Sequence, residues 1–276
     1  QMCIRDRYTS MTTGRSMDFD DLRSYVPGDD VKDIDWKSSA RAGELLIKSY
    51  RAERRHTLAF VVPTGGSLAS AATLTHSKID VVLATIGVLA WVACHQGDYV
   101  TVVAPGQDGP SVARPSYRDT QIEHMLAGLD AGCRLEAPDP DLVELLDLTA
   151  SGLRRRCIVV VVLDDWDPRP ADVDALASLC ARHEVLAIEV SDLDLTDPAL
   201  AAVPTRDQAS GQPVPGFVAR DRQVREQAVA ARQERARRRG HTLDRLGIIH
   251  ESVADVDDSI AAIVRLLERM RHASRH

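Results

Sequence analysis

The order of apolar and polar positions predicts strands and helices that alternate along most of the chain. Short apolar runs predict strands at 45–50, 57–62, 99–104, 157–163, 185–190 and 247–250. Longer or helically spaced apolar segments predict helices at 81–94, 118–131, 141–151, 171–183 and 257–272. The run at 157–163 is the most continuous and is typical of a central parallel strand. This alternation predicts an α/β fold with a doubly wound, mostly parallel sheet and helices on both faces.

The most hydrophobic predicted helix, at 81–94, is interpreted as part of the α/β fold and not as a membrane span. Residues 81–94 carry no charged side chain. A transmembrane helix needs about 20 apolar residues, so this run predicts a buried helix packed on the sheet. No membrane span is predicted within the chain.

A turn followed by a helix is predicted near the N-terminus. Pro27 and Gly28 form a strong turn signal, because proline presets one φ angle and glycine permits a positive one. Asp29 or Asp30 can cap the free N–H groups of a helix that begins there. Gly43 is the predicted end of that helix.

The acidic residues of this stretch suggest two different roles. In the first, Asp29, Asp30, Asp33 and Asp35 gather a metal ion; the helical spacing of Asp33 and Asp35, about 200° apart, argues against convergence. In the second, which we favour, Asp35 pairs with Arg41 in a structural network beside a buried Trp36. Truncating Trp36 or Arg41 is then expected to damage folding.

This stretch resembles the signature of the bacterial domain of unknown function 58 family. The signature positions are Arg23, Tyr25, Pro27, Gly28, Asp29, Asp30, Asp33, Asp35, Trp36, Ala40 and Arg41. The resemblance implies a von Willebrand factor A-like α/β domain after the signature. It also implies a MoxR-type AAA+ ATPase as partner, with further partners among proteins encoded nearby. The biochemical activity of the family is not established, so the resemblance implies no substrate.

Three segments are expected on these grounds. Residues 1–7 resemble a translated sequencing adaptor, with a disordered N-terminus as the alternative. If they are an adaptor, any preceding helix, signal or membrane anchor is missing from this sequence. Residues 8–56 form the signature segment, which includes the predicted edge strand. Residues 57–276 form the α/β domain.

The metal site of a von Willebrand factor A domain is degenerate in this sequence. Such a site begins with Asp-x-Ser-x-Ser after the first core strand, and here Pro63 and Gly65 replace the carboxylate and the first hydroxyl. Ser67, Asp164 and Asp165 remain as weak candidate ligands. Because Mg²⁺ in proteins is usually held through one or two carboxylates and the motif itself offers only the Ser67 hydroxyl, we expect no bound metal and predict no cofactor.

Charge and cysteine usage indicate which partners and which cellular compartment to expect. With 34 Lys plus Arg against 41 Asp plus Glu, the net charge of −7 argues against a nucleic acid partner. The Arg-rich segment 221–245 is interpreted as a solvated helix with pairs such as Arg222 and Glu226, in preference to a phosphate-binding patch at 232–239. The five scattered cysteines indicate neither a disulfide framework nor a zinc site and favour a reducing cytoplasm.

The function predicted from these features is a non-catalytic interaction or adaptor domain. No Gly-x-Ser-x-Gly elbow or phosphate-binding loop supports an enzyme. The alternative is a metal-dependent binding or hydrolytic domain at the rim of the sheet. Parallel strands bind ligands beyond their carboxyl ends, so the predicted partner contact is the rim at 64–70 and 164–166. Trp166 is its aromatic anchor, unless it packs under the following loop. The partner-binding candidates are Thr64, Ser67, Asp164, Asp165 and Trp166.

Overall fold

A computed structural model describes residues 17–26, 34–52, 55–106 and 109–273 of the chain. The chain forms two compact units, residues 1–55 and residues 56–276. Residues 1–7 lie outside the described residues, as do the predicted turn and the candidate caps at 27–33.

Within its described residues, the first unit contains a two-stranded antiparallel sheet and one short helix. Strand β1 (Met17–Ser24) pairs with β2 (Leu46–Ala52), so β2 is not an edge strand of the main sheet. Helix α1 (Trp36–Ala42) begins later than predicted, because Ile34 forms a bridge with Ile47. The helix ends as predicted at Gly43, whose φ of 75° favours glycine.

The signature residues in this unit are arranged differently from the prediction. The Asp35 carboxylate caps α1 by accepting the Ser38 N–H at 3.0 Å. Trp36 is 63% exposed, so the expectation of a buried tryptophan is wrong. Ala40 and Arg41 are also exposed, and the Tyr25 N–H donates to the Leu45 carbonyl.

The second unit is built on a six-stranded sheet. Its strands are β3 (Thr57–Val61), β4 (Tyr99–Gly106), β5 (Gly109–Val112), β6 (Ile158–Leu163), β7 (Glu184–Val190) and β8 (Ile249–Val253). Their order is β5-β4-β3-β6-β7-β8, and only β5 runs antiparallel to its neighbour. Because the chain passes from β3 to β4 on one side and later to β6 on the other, the sheet is doubly wound, as predicted.

Helices flank this sheet. They are α2 (Gly66–Ala69), α3 (Lys78–His95), α4 (Asp119–Gly132), α5 (Leu142–Gly152), α6 (Pro170–Cys180), α7 (Phe217–Arg220), α8 (Arg222–Arg245) and α9 (Ser259–Ala273). Helix α3 contacts α4 and α9, whereas α5 contacts α6. All six side chains of β6 are buried, which identifies it as the central strand predicted from its apolar run.

Successive side chains of the central strands serve two cores. Ala59, Val61, Val159 and Val161 pack with Leu145 of α5 and other residues from α5 and α6. Strand side chains alternate between the two faces of a sheet, so the intervening residues face the other core. Because β3, β6 and β7 are neighbouring parallel strands, their carboxyl ends lie side by side along one rim.

Candidate functional site

The centre of this rim is the switch point between β3 and β6. Ser67 follows β3 at the start of α2, and Asp164 is the first residue after β6. The Ser67 hydroxyl donates a hydrogen bond to the Asp164 carboxylate. The structure thus brings together two of the residues that the sequence singled out as candidates.

A lysine that the sequence analysis did not single out lies between them. The Lys78 Nζ atom is 3.3 Å from Ser67 Oγ, 3.3 Å from Asp164 Oδ2 and 2.5 Å from Asp192 Oδ1, just beyond β7. The Lys78 side chain is only 2% exposed. An ammonium group has three N–H donors, and each has one acceptor here.

The position of Lys78 in its helix makes these contacts more significant. Lys78 is the first residue of α3, after the N-cap Ser77. The dipole at a helix N-terminus disfavours a positive charge, and lysine is almost never fully buried without a partner. The carboxylates of Asp164 and Asp192 must therefore compensate the burial of this charge.

With the Lys78 ammonium among them, the residues at this point do not fit the divalent cation that the fold family implies. A Cβ atom built on Gly65 would lie 2.6 Å from Asp139 Oδ1, so the covering loop between α4 and α5 leaves no room for a serine there. Asp165 is turned toward α8 instead of Ser67. No group of three or more His, Cys, Asp or Glu side chains within the described residues could hold a metal ion.

A second ionic cluster lies beside the first, at the end of β7. Arg239 of α8 donates to Asp165 Oδ1 at 2.8 Å and to Glu189 Oε2 at 3.0 Å. The other Glu189 oxygen is 2.9 Å from His250 Nδ1. Arg239 and Glu189 are nearly buried, with 11% and 10% of their side chains exposed.

This cluster shifts the acidity of its members. Burial alone would raise the pKa of Glu189, but the hydrogen bonds with His250 and Arg239 outweigh burial and lower it. The hydrogen bond to Glu189 raises the pKa of His250 despite burial. Both shifts favour a charged Glu189–His250 pair, and we interpret the cluster as a structural clamp between β7, β8 and α8.

The Arg-rich helix is only partly the solvated helix that was predicted. The expected Arg222–Glu226 pair is present at 2.7 Å on exposed side chains. Farther along α8, however, four arginines face carboxylates that follow β6 and β7. The pairs are Arg232–Asp194 at 2.9 Å, Arg235–Asp165 at 3.4 Å, Arg238–Asp167 at 3.6 Å and Arg239–Asp165 at 2.8 Å. These arginines are thus engaged by protein carboxylates.

The remaining rim candidates differ in accessibility. Thr64 is 5% exposed, so little of it can meet a partner. Trp166 is half-buried against the core, and its indole N–H donates to Asp172 Oδ2 at 3.1 Å. This geometry ties Trp166 to the core and to α6. Partner binding by these residues stays a prediction.

Comparison with known proteins identifies the family. The sequence pattern of the family described as a protein of unknown function, DUF58, matches residues 21–238. The chain belongs to the DUF58 family. This result confirms the resemblance carried by residues 22–41. The matched range includes the signature and most of the α/β unit.

Similar proteins include uncharacterized mycobacterial proteins. Mb1516 of Mycobacterium bovis and Rv1480 of Mycobacterium tuberculosis are each 30% identical over 198 residues, 68% of this DUF58 chain. The matched region spans 60% of the length of these relatives.

Solved structures with low sequence identity are also similar. An aerotolerance-related membrane protein from Bacteroides fragilis aligns with a TM-score of 0.45 and 14% identity, covering 78% of this chain and 100% of that one. A von Willebrand factor type A protein from Catenulispora acidiphila aligns with a TM-score of 0.37 and 16% identity, covering 64% and 42%.

One helix within the described residues has the length and composition of a membrane span. This helix is α3, and half of its apolar window is buried inside the protein. Such burial is what the sequence analysis predicted for a core helix of the sheet. The cytoplasmic location expected from the cysteines stays a prediction.

Proposed function

We propose that this DUF58 domain is a non-catalytic interaction or adaptor domain that works with a MoxR-type AAA+ ATPase in protein maturation or complex assembly. The observation that carries the proposal is the closed switch point. Doubly wound sheets bind small ligands in the crevice beyond their strand ends. Here Lys78, Ser67, Asp164 and Asp192 fill that position with their own hydrogen bonds.

The surface around the switch point suits a protein partner. Leu74, in the loop between α2 and α3, is 61% exposed, and Leu135, in the loop between α4 and α5, is 57% exposed. Asp165 and Asp167, which pair with arginines of α8, add exposed polar groups after β6. Apolar anchors surrounded by polar groups are common in protein interfaces. We therefore add Leu74 and Leu135 to the predicted contact at 64–70 and 164–166.

The cellular setting of the proposal is the cytoplasm. The cysteines at 94, 133, 157 and 180 are free thiols. Burial raises the pKa of Cys133 to about 11, and of Cys94 to about 11, so both thiols resist ionisation. Unreactive, unpaired thiols are typical of a reducing compartment.

Co-purification with a MoxR-type AAA+ ATPase tests this function. Leu74→Asp and Leu135→Asp should each weaken the complex about tenfold or more, the effect expected of an interface anchor. Ile260→Asp is the matched control, because Ile260 is 66% exposed but lies on α9. EDTA should leave the complex unchanged.

Three results would count against this function. They are absence of a complex with the wild-type protein, equal losses in the rim and control variants, and a complex that dissociates in EDTA. The last result would favour the alternative of a metal-dependent domain.

A further inference from the structure

We infer that the Lys78 ammonium is a built-in cation that occupies the position of a divalent ion and keeps a latent cation site closed. The donors around it are those a hard cation prefers. Asp164 and Asp192 supply two carboxylates, and Ser67 supplies a hydroxyl. One or two carboxylates with further oxygen ligands are a usual set for Mg²⁺.

The geometry of the ammonium explains why no open position remains. All three N–H groups are directed to acceptors, and the side chain is 2% exposed. A protein-bound Mg²⁺ usually keeps several coordination positions for water. Lys78 has no such position, so a carboxylate of a partner cannot be coordinated at this point.

The loss of other ligands is consistent with this role. Pro63 has no side-chain oxygen, and Gly65 is packed so closely against Asp139 that a serine would clash. A divalent ion would also have to displace a charge that already has two carboxylate partners. The ammonium balances the two acids without requiring an ion from solution.

The choice of lysine supports the assignment. The chain contains four lysines, Lys32, Lys37, Lys48 and Lys78, and every other basic side chain beyond residue 48 is arginine or histidine. Arginine presents a flat fork of five donors, whereas lysine presents a compact point charge with three. Three acceptors grouped around one atom need the compact charge.

The inference is independent of the proposed partner and is tested without it. Thermal midpoints are measured with and without Mn²⁺ for the wild-type protein, Lys78→Ala and Lys78→Ala/Asp164→Asn. The wild-type midpoint should not change with Mn²⁺. Lys78→Ala should melt at a lower temperature and regain about 5–10 °C when Mn²⁺ is about a hundred times its Kd. The double variant should gain nothing from Mn²⁺.

Acetylation of the wild-type protein provides a second measurement if Lys78→Ala fails to fold. Lys37 is exposed and serves as the internal control. In the native state Lys78 should react with acetic anhydride at least tenfold more slowly than Lys37, and both should react alike in urea. Equal native rates would overturn the inference. So would a Mn²⁺-dependent rise in the wild-type midpoint, or a folded Lys78→Ala protein that Mn²⁺ does not stabilise.

Discussion

The clamp at the end of β7 yields a quantitative prediction for Arg239→Met. This substitution keeps an unbranched side chain in place of the arginine stem but removes the charge that faces Glu189. The Glu189 side chain is 10% exposed. Breaking a buried ion pair by removing one partner costs about 3–5 kcal/mol. Since His250 still contacts the other Glu189 oxygen at 2.9 Å, we expect the lower end, about 3 kcal/mol.

The measurement is the free energy of unfolding from urea titration, with Arg222→Met as the matched control. Arg222 belongs to the same helix and also pairs with a glutamate, but its side chain is 86% exposed. Exposed pairs at this spacing contribute about 0.3–0.5 kcal/mol, so the control should change little. If the two variants lose stability within about 0.5 kcal/mol of each other, the clamp does not hold the fold as described.

Two further predictions concern acidity and packing. The raised pKa of His250 means that this residue stabilises the fold fully below about pH 6.5 and loses that effect as pH rises through its folded pKa, so His250→Gln should cost more at pH 5.5 than at pH 8.5. NMR titration should place His250 above His183, whose pKa is lowered by burial; the reverse order would contradict both assignments. Gly65→Ser should destabilise by about 1–3 kcal/mol through the clash with Asp139, and Mg²⁺ should not restore it. Gly128→Ser, with open space around its Cβ, is the control, and equal losses would exclude the clash.

The elements of the main sheet were predictable because their apolar runs are long and regular. Strand β6 and helix α3 are examples, since both bury continuous apolar segments. Strand β5 was missed because Gly109–Val112 is short and has no alternating pattern. Helix α1 was placed too early because the sequence offered several aspartates as caps, and only the bridge at Ile34 excludes the earlier start.

The site was predictable only as far as strand ends could be located. The meeting of Ser67 and Asp164 follows from two parallel strands that end at one rim. The contacts of Lys78 could not be derived, because the apolar run predicted a helix only from residue 81, whereas α3 begins at Lys78. The position of Lys78 as the only lysine beyond residue 48 was the available signal. Glu189 was likewise inconspicuous as one acid within a buried strand.

The two edges of the main sheet restrict how another chain can bind. Strand β5 has only four residues, and Pro110 among them has no N–H to offer. At the other edge, the His250 carbonyl of β8 accepts a hydrogen bond from Arg269 of α9. A peptide that adds itself to a sheet as an extra strand requires a row of free backbone donors and acceptors. The short β5 with its proline, and the occupied carbonyl on β8, disfavour such strand addition at these positions.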